Sequence, residues 1–125
     1  MQAFLIQLEN RPGAVADVSE AIAARGINIT AVAGLATGAG GAMVITTDDE
    51  AGTVAALDAG GYPYRPLPVV TTALEHVPGS LAAATRRLAD AGVNLEAMFP
   101  TGMADGRVMV AFAVGDAAAA SRALG

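Results

Sequence analysis

The chain lies over itself. Leu8-Glu9-Asn10-Arg11-Pro12-Gly13-Ala14-Val15 matches Leu74-Glu75-His76-Val77-Pro78-Gly79-Ser80-Leu81, so Leu8 falls over Leu74 at an offset of 66 residues. The same offset puts Arg25-Gly26-Ile27-Asn28-Ile29 over Ala91-Gly92-Val93-Asn94-Leu95, and Met43-Val44 over Met109-Val110, without a gap. Pro, Gly, Gly and Asn recur at matched positions, and chance seldom duplicates residues with such particular backbone roles. Whatever the chain folds into, it builds the same plan twice, over residues 1–66 and 67–125.

One unit can be read and checked against its copy. Phe4, Ile6 and Leu8 alternate with Leu5, Gln7 and Glu9, which predicts a strand with one face to the core. Pro12 suits the first turn of a helix, and Val15, Val18 and Ile22 then recur at helical spacing, as do Leu81, Ala84 and Leu88. Gly26 and Gly92 are read as the C-caps of those helices. Ile27 to Leu35 and Ala42 to Thr47 predict two strands around a glycine-rich turn, and the copy of that turn carries Asp105-Gly106, a hairpin signal. Asp48-Asp49-Glu50 opens a second helix that stops at Gly60-Gly61. Tyr62 to Arg65 reads as a short last strand held to an edge by Pro63 and Pro66. The order is βαββαβ, an α+β unit of the ferredoxin-like kind. Gly125 falls over Ala59, so the second unit lacks residues for its last strand. The open edge that follows is expected to be covered, most simply by a homodimer.

Composition narrows the partners. A net charge of −5 argues against a phosphate-backbone partner, and with no stacked strand aromatics an RNA-binding role is not expected. No cysteine is present, so disulfides and thiolate chemistry are excluded. No apolar run approaches a membrane span, and the start MQAFLIQLENRPG has neither a basic head nor a small-residue cleavage site. A cytoplasmic protein with no membrane partner is the expectation. Hydrophobic residues make up 54%, but only 4% are aromatic and much of the rest is alanine, so a partner surface is expected to help complete the core.

Catalysis has little to work with. His76 is the sole histidine, no nucleophile elbow surrounds it, and no His or Cys spacing suggests a metal. No catalytic residue, metal or cofactor is expected. Gly34 to Gly41 leads into a returning strand and not a helix, so it is no phosphate loop. The informative place is the turn from Asn10 through Arg11, Pro12 and Gly13 to Ala14, repeated from His76 through Gly79 to Ser80. Unpaired N–H groups at a helix start favour a carboxylate, and glycine lets a ligand approach the backbone. Asn10 or His76 would bond one end of the ligand and Asn28 or Asn94 another, while Arg11 would pair with a carboxylate. The plainer alternative is that Pro-Gly merely starts a helix, the asparagines bond local backbone, and Arg11 and His76 face solvent. Met98 and Phe99 are assigned to core or interface.

Leu8 to Val15 followed by Gly26-Ile27-Asn28-Ile29 resembles the signature of ACT domains, and Leu74 to Leu81 with Gly92-Val93-Asn94-Leu95 repeats it. The arrangement is similar to small stand-alone tandem ACT proteins. The resemblance implies two ferredoxin-like ACT units that bind an amino acid or related metabolite at contacts between units. In the serine-sensing ACT domains of phosphoglycerate dehydrogenase the turn Asn and the Asn after the Gly contact ligand; those match Asn10 and Asn28, and Asn94 in the second unit. His76 and Val77 depart from the pattern of Asn10 and Arg11, so the second unit is not expected to share the same specificity. A non-catalytic amino-acid-binding regulator, homodimeric and acting on a metabolic enzyme in trans, is the leading expectation. A dimerising adaptor without ligand is the first alternative, and a small enzyme using His76 with Glu75 or Asp105 is the second.

Overall fold

The computed structural model describes residues Met1–Gly125. Six strands and four helices follow in the order β1 (Gln2–Glu9), α1 (Ala14–Ala23), β2 (Ile29–Thr37), β3 (Gly40–Thr47), α2 (Glu50–Gly60), β4 (Tyr64–Glu75), α3 (Ser80–Asp90), β5 (Leu95–Ala104), β6 (Arg107–Val114) and α4 (Ala117–Leu124). The chain divides into two compact units, Gln2–Pro66 and Leu67–Gly125, the latter joined by Met1. Both are α+β units of ferredoxin-like order, and the second has no strand after α4.

In Gln2–Pro66, β3 lies between β1 and β2, antiparallel to both. Phe4 sits opposite Ile45, Ile6 opposite Met43 and Val32 opposite Ile45, so these side chains share the face covered by α1 and α2. Their core joins Phe4, Ile6, Met43 and Ile45 to Val18 and Ile22 of α1 and Leu57 of α2. Asp49 caps α2 through a side-chain bond from the Gly52 N–H at 2.9 Å, and Asp116 does the same for α4 through Ala119. Leu67–Gly125 repeats the plan, with β6 between β4 and β5 and a core of Leu88, Val110, Phe112, Val114 and Ala120.

Four readings are corrected. Pro12 stays outside the helix. Gly13 is the N-cap, at φ 89, and Gly79 repeats it at φ 90. Gly26 is left-handed, at φ 71, but lies beyond the C-cap residue Ala24, whereas Gly92 follows Ala91 directly and closes α3 with Val93 N–H to Leu88 O at 2.9 Å. The strand expected at Tyr62 to Arg65 instead starts at Tyr64 and continues to Glu75 through Pro66 and Pro68. The ladder with β6 begins at Val69, so both prolines lie ahead of it. Val15 and Leu81, expected on core faces, are 52% and 45% exposed.

The left-handed glycine caps give a direct test. A Cβ on Gly79 would meet nothing within 4 Å, so replacement is penalised by conformation alone. Gly79→Ala is expected to lower stability by about 1–2 kcal/mol in urea denaturation. A variant as stable as the parent would mean the turn does not need the left-handed conformation.

Candidate functional site

Val15 and Leu81, exposed in the first turn of their helices, stand across from residues of the edge strands β2 and β5. The gap left there is a cleft, and it occurs twice. In Gln2–Pro66 a cleft of about 380 Å³ is bounded by Leu8 and Met43, the β2 residues Val32 and Gly34, and Ala14 and Val15 of α1. In Leu67–Gly125 a cleft of about 300 Å³ is bounded by Leu74 and Val108, the β5 residues Met98 and Pro100, and Ser80 and Leu81 of α3. Leu8, Ala14, Val15, Val32 and Gly34 fall over Leu74, Ser80, Leu81, Met98 and Pro100 at the repeat offset. Both clefts therefore occupy one position of one plan.

Asn10 and Arg11 border the first cleft, His76 and Val77 the second. Asn10 is already engaged: its side-chain amide donates to the Gly38 carbonyl at 2.7 Å, and its backbone N–H to Ala39 at 2.9 Å. It ties β1 to the β2–β3 turn. His76 repeats only the backbone half of this, with its N–H on the Gly106 carbonyl at 3.1 Å. Arg11 donates to Asp17 at 2.9 Å and lies 3.4 Å from Glu9. The hydrogen bond and charge of Asp17, with Glu9 behind it, push its pKa up, so it stays a cation at every working pH. It is a partnered cation, with half its side chain exposed, and not an isolated one.

Pro12, Gly13 and Gly79 shape the turns but do not line the clefts; Ala14 and Ser80 do. The Ala14 N–H, one of the donors expected to receive a carboxylate, bonds to Arg11 O at 3.3 Å, and the Ser80 N–H to Val77 O at 3.4 Å. Asn28 and Asn94 are not brought to these clefts. Asn28 precedes β2, whose Ile29 pairs with Thr47 at one end of β3, whereas Asn10 follows Glu9, which pairs with Gly40 at the other end. Eight residues of strand separate the ends by roughly 24 Å. Asn28 donates its backbone N–H to Asp48 at 2.9 Å. Asn94 stands in the same way before β5, at the Val114 end of β6.

The apolar walls were missed in the sequence. Met98, assigned to core or interface, is 40% exposed and lines the second cleft, while Phe99 beside it is 2% exposed. A signal existed: between Thr30 and Thr37, uncharged β2 has no polar residue alternating with its apolar ones, as an edge strand facing solvent would.

No group of three or more His, Cys, Asp or Glu side chains is placed to hold a metal ion. No helix is long and apolar enough to cross a membrane.

Geometry and comparison meet in the first unit. The ACT domain matches residues 3–59, the span from β1 to the end of α2. No curated protein matches the chain. Among solved structures, a protein from Bacteroides thetaiotaomicron is similar at TM-score 0.82 and 24% identity, over 98% of this chain and 85% of that one. The ligand-free regulatory subunit of aspartate kinase from Thermus thermophilus is similar at TM-score 0.70 and 25% identity, over 98% of this chain and 88% of that one. Aspartate kinase from Clostridium acetobutylicum contains a similar region at TM-score 0.67 and 12% identity, covering 98% of this chain but 32% of that enzyme. These likenesses establish a fold that occurs both on separate subunits and inside a longer enzyme.

Proposed function

We propose that the chain is a non-catalytic regulatory protein that binds an amino acid through two ACT-type units, residues 1–66 and 67–125, and acts as a cytoplasmic homodimer on a metabolic enzyme in trans. The observation that carries this reading is the duplicated cleft, beside the turn from Asn10 to Ala14 and again beside the turn from His76 to Ser80. Small-molecule sites are concave and mostly apolar, with a few polar groups at one end, and clefts of this size accommodate an amino acid. The ACT match over residues 3–59 and the likeness to an aspartate kinase regulatory subunit support it.

Asn10 and Asn28 stand at opposite ends of β3, so no amino acid touches both within one unit. A ligand held by both asparagines would bridge two copies of the chain, which is how binding would favour one assembled arrangement over another. His76 and Ser80 take the place of Asn10 and Ala14 in the second unit, with Asn94 in the role of Asn28.

A second reading has an observation of its own. Asn10 and Arg11 are bonded within the chain, to Gly38 and to Asp17. That favours a dimerising adaptor whose first cleft takes no ligand.

Thermal unfolding against each of the twenty amino acids separates the two. A ligand that binds only the folded state, at a hundred times its Kd, stabilises by about 2.7 kcal/mol. A shift for one class of amino acid, reduced at least tenfold in affinity by Asn10→Ala, is the expected result. A shift that survives Asn10→Ala unchanged removes Asn10 from the site, and no shift for any amino acid favours the adaptor.

A further inference from the structure

The two clefts share a position and differ in chemistry. We infer that the cleft of Leu67–Gly125 takes an amino acid with an apolar side chain; this rests on the ligand-binding reading above and deepens it. The repeat allows comparison wall by wall. Val77 stands where Arg11 does and Leu81 where Val15 does, and Met98, Pro100 and Val108 replace Val32, Gly34 and Ala42. At each of these positions the second cleft carries a bulkier apolar group or a less polar one. Its volume is about 300 Å³ against 380 Å³ for the first.

No lysine or arginine lines the second cleft. Its one carboxylate, Glu75, follows the inward-facing Leu74 on a strand, so its side chain leaves on the opposite face. An aspartate or lysine side chain pressed between Leu74, Val108 and Val110 would lose water and gain no counter-charge. The polar groups lie at the mouth. The His76 imidazole and the Ser80 hydroxyl make no hydrogen bond within the chain, and they are suited to the carboxylate and ammonium common to all amino acids. Polar mouth and apolar wall together describe a zwitterion with a hydrocarbon side chain. Each buried methylene tightens binding about fourfold, so in a half-open cleft leucine should bind about tenfold more tightly than alanine. In the first cleft Gly34 and Ala42 offer fewer atoms at two of these walls, beside Leu35 and Met43, and Arg11 stands at its border.

The chain carries its own reporters, because Met98 lines the second cleft and Met43 the first. With carbon-13 methyl-labelled methionine in the full chain, leucine, phenylalanine, alanine, serine, aspartate and lysine would be titrated in turn while both methyl signals are followed. The expected result is a Met98 shift that saturates with leucine or phenylalanine at about one-tenth the concentration needed for alanine, and that serine, aspartate and lysine produce more weakly still. Leu81→Glu, at an exposed first-turn position where a carboxylate suits the helix dipole, should keep the fold and abolish that response. If Met98 answers first to a polar or charged amino acid, the inferred class is wrong while the binding reading stands. If leucine moves Met43 and leaves Met98, the wrong cleft has been chosen. A Met98 shift driven only by protein concentration means a second copy covers the cleft, which also overturns the inference. If no methionine responds and calorimetry detects no heat with any of the six, the binding reading itself falls.

Discussion

Phe4→Ala is expected to lower the unfolding free energy by about 3–5 kcal/mol, among the largest single-residue losses in the chain. The ring is completely buried on β1 and belongs to a core with Ile6, Ile22, Ile45 and Leu57. It meets the Tyr64 ring edge-on, with centroids 6.2 Å apart and planes at 65°. Such aromatic pairs contribute about 0.5–1.5 kcal/mol beyond burial. The void would also close poorly. Phe4 and its opposite residue Ile45 sit on a hydrogen-bonded sheet, and the core's other small member, Ala56, is too short to move in. A domain's whole stability is about 5–15 kcal/mol, so the variant loses a large share of it. Urea denaturation followed by circular dichroism measures the loss. Phe4→Leu, which keeps most of the volume, should lose about 1.5 kcal/mol or less. A Phe4→Ala loss under 1 kcal/mol would mean the core is not built around this ring.

Much of this was readable because the plan is written twice. The alternation of Phe4, Ile6 and Leu8 and the spacing of Val18 and Ile22 gave the correct strand, helix and inward faces, since burial sets those periods directly. Proline misled twice for one reason. Its φ suits a helix start, a turn and an extended strand alike, so Pro12 and Pro66 do not reveal which of these the chain adopts. The cleft was less legible. Spacing places Val15 and Leu81 on the core side of their helices, but only the sheet beneath decides whether anything covers them. At the first turn the floor is Gly34 in one unit and Pro100 in the other, neither of which rises to fill the gap. The asparagines show the converse. Asn10 and Asn28 read as neighbours of one ligand, yet the length of β3 lies between them, a separation that a linear motif does not display.

Val32→Lys combined with Leu35→Lys is expected to raise the dimer dissociation constant at least a hundredfold, if the proposed homodimer forms through β2. β2 is an edge strand of the first unit's sheet and β5 of the second's, and they are not equally protected. β2 spans Ile29–Thr37 with no charge and no proline, and Val32 and Leu35 are 55% and 66% exposed. β5 carries Glu96 and Pro100, and its register shifts between Pro100 and Gly102. Charges, prolines and bulges are the devices that keep an edge from pairing; β2 has one register shift, between Ile29 and Ala31, but only β5 adds a charge and a proline, so β5 is guarded and the rest of β2 is open. An open edge pairs most simply with its own copy, because antiparallel strands satisfy a two-fold axis. Val32 lies opposite Ile45 and Leu35 opposite Ala42, so the two positions point to opposite faces of the sheet. Lysine at both puts like charges on each face in any register, and such juxtaposition costs several kcal/mol. Both side chains are exposed in the single chain, so its own stability should change by about 0.5 kcal/mol or less. Sedimentation equilibrium reads the result directly, with Met98→Lys and Met103→Lys on β5 as the control that leaves the dimer intact. A β2 double variant that remains dimeric while the β5 pair dissociates would move the interface to β5. A parent chain that sediments as a monomer would remove the dimer from the proposal altogether.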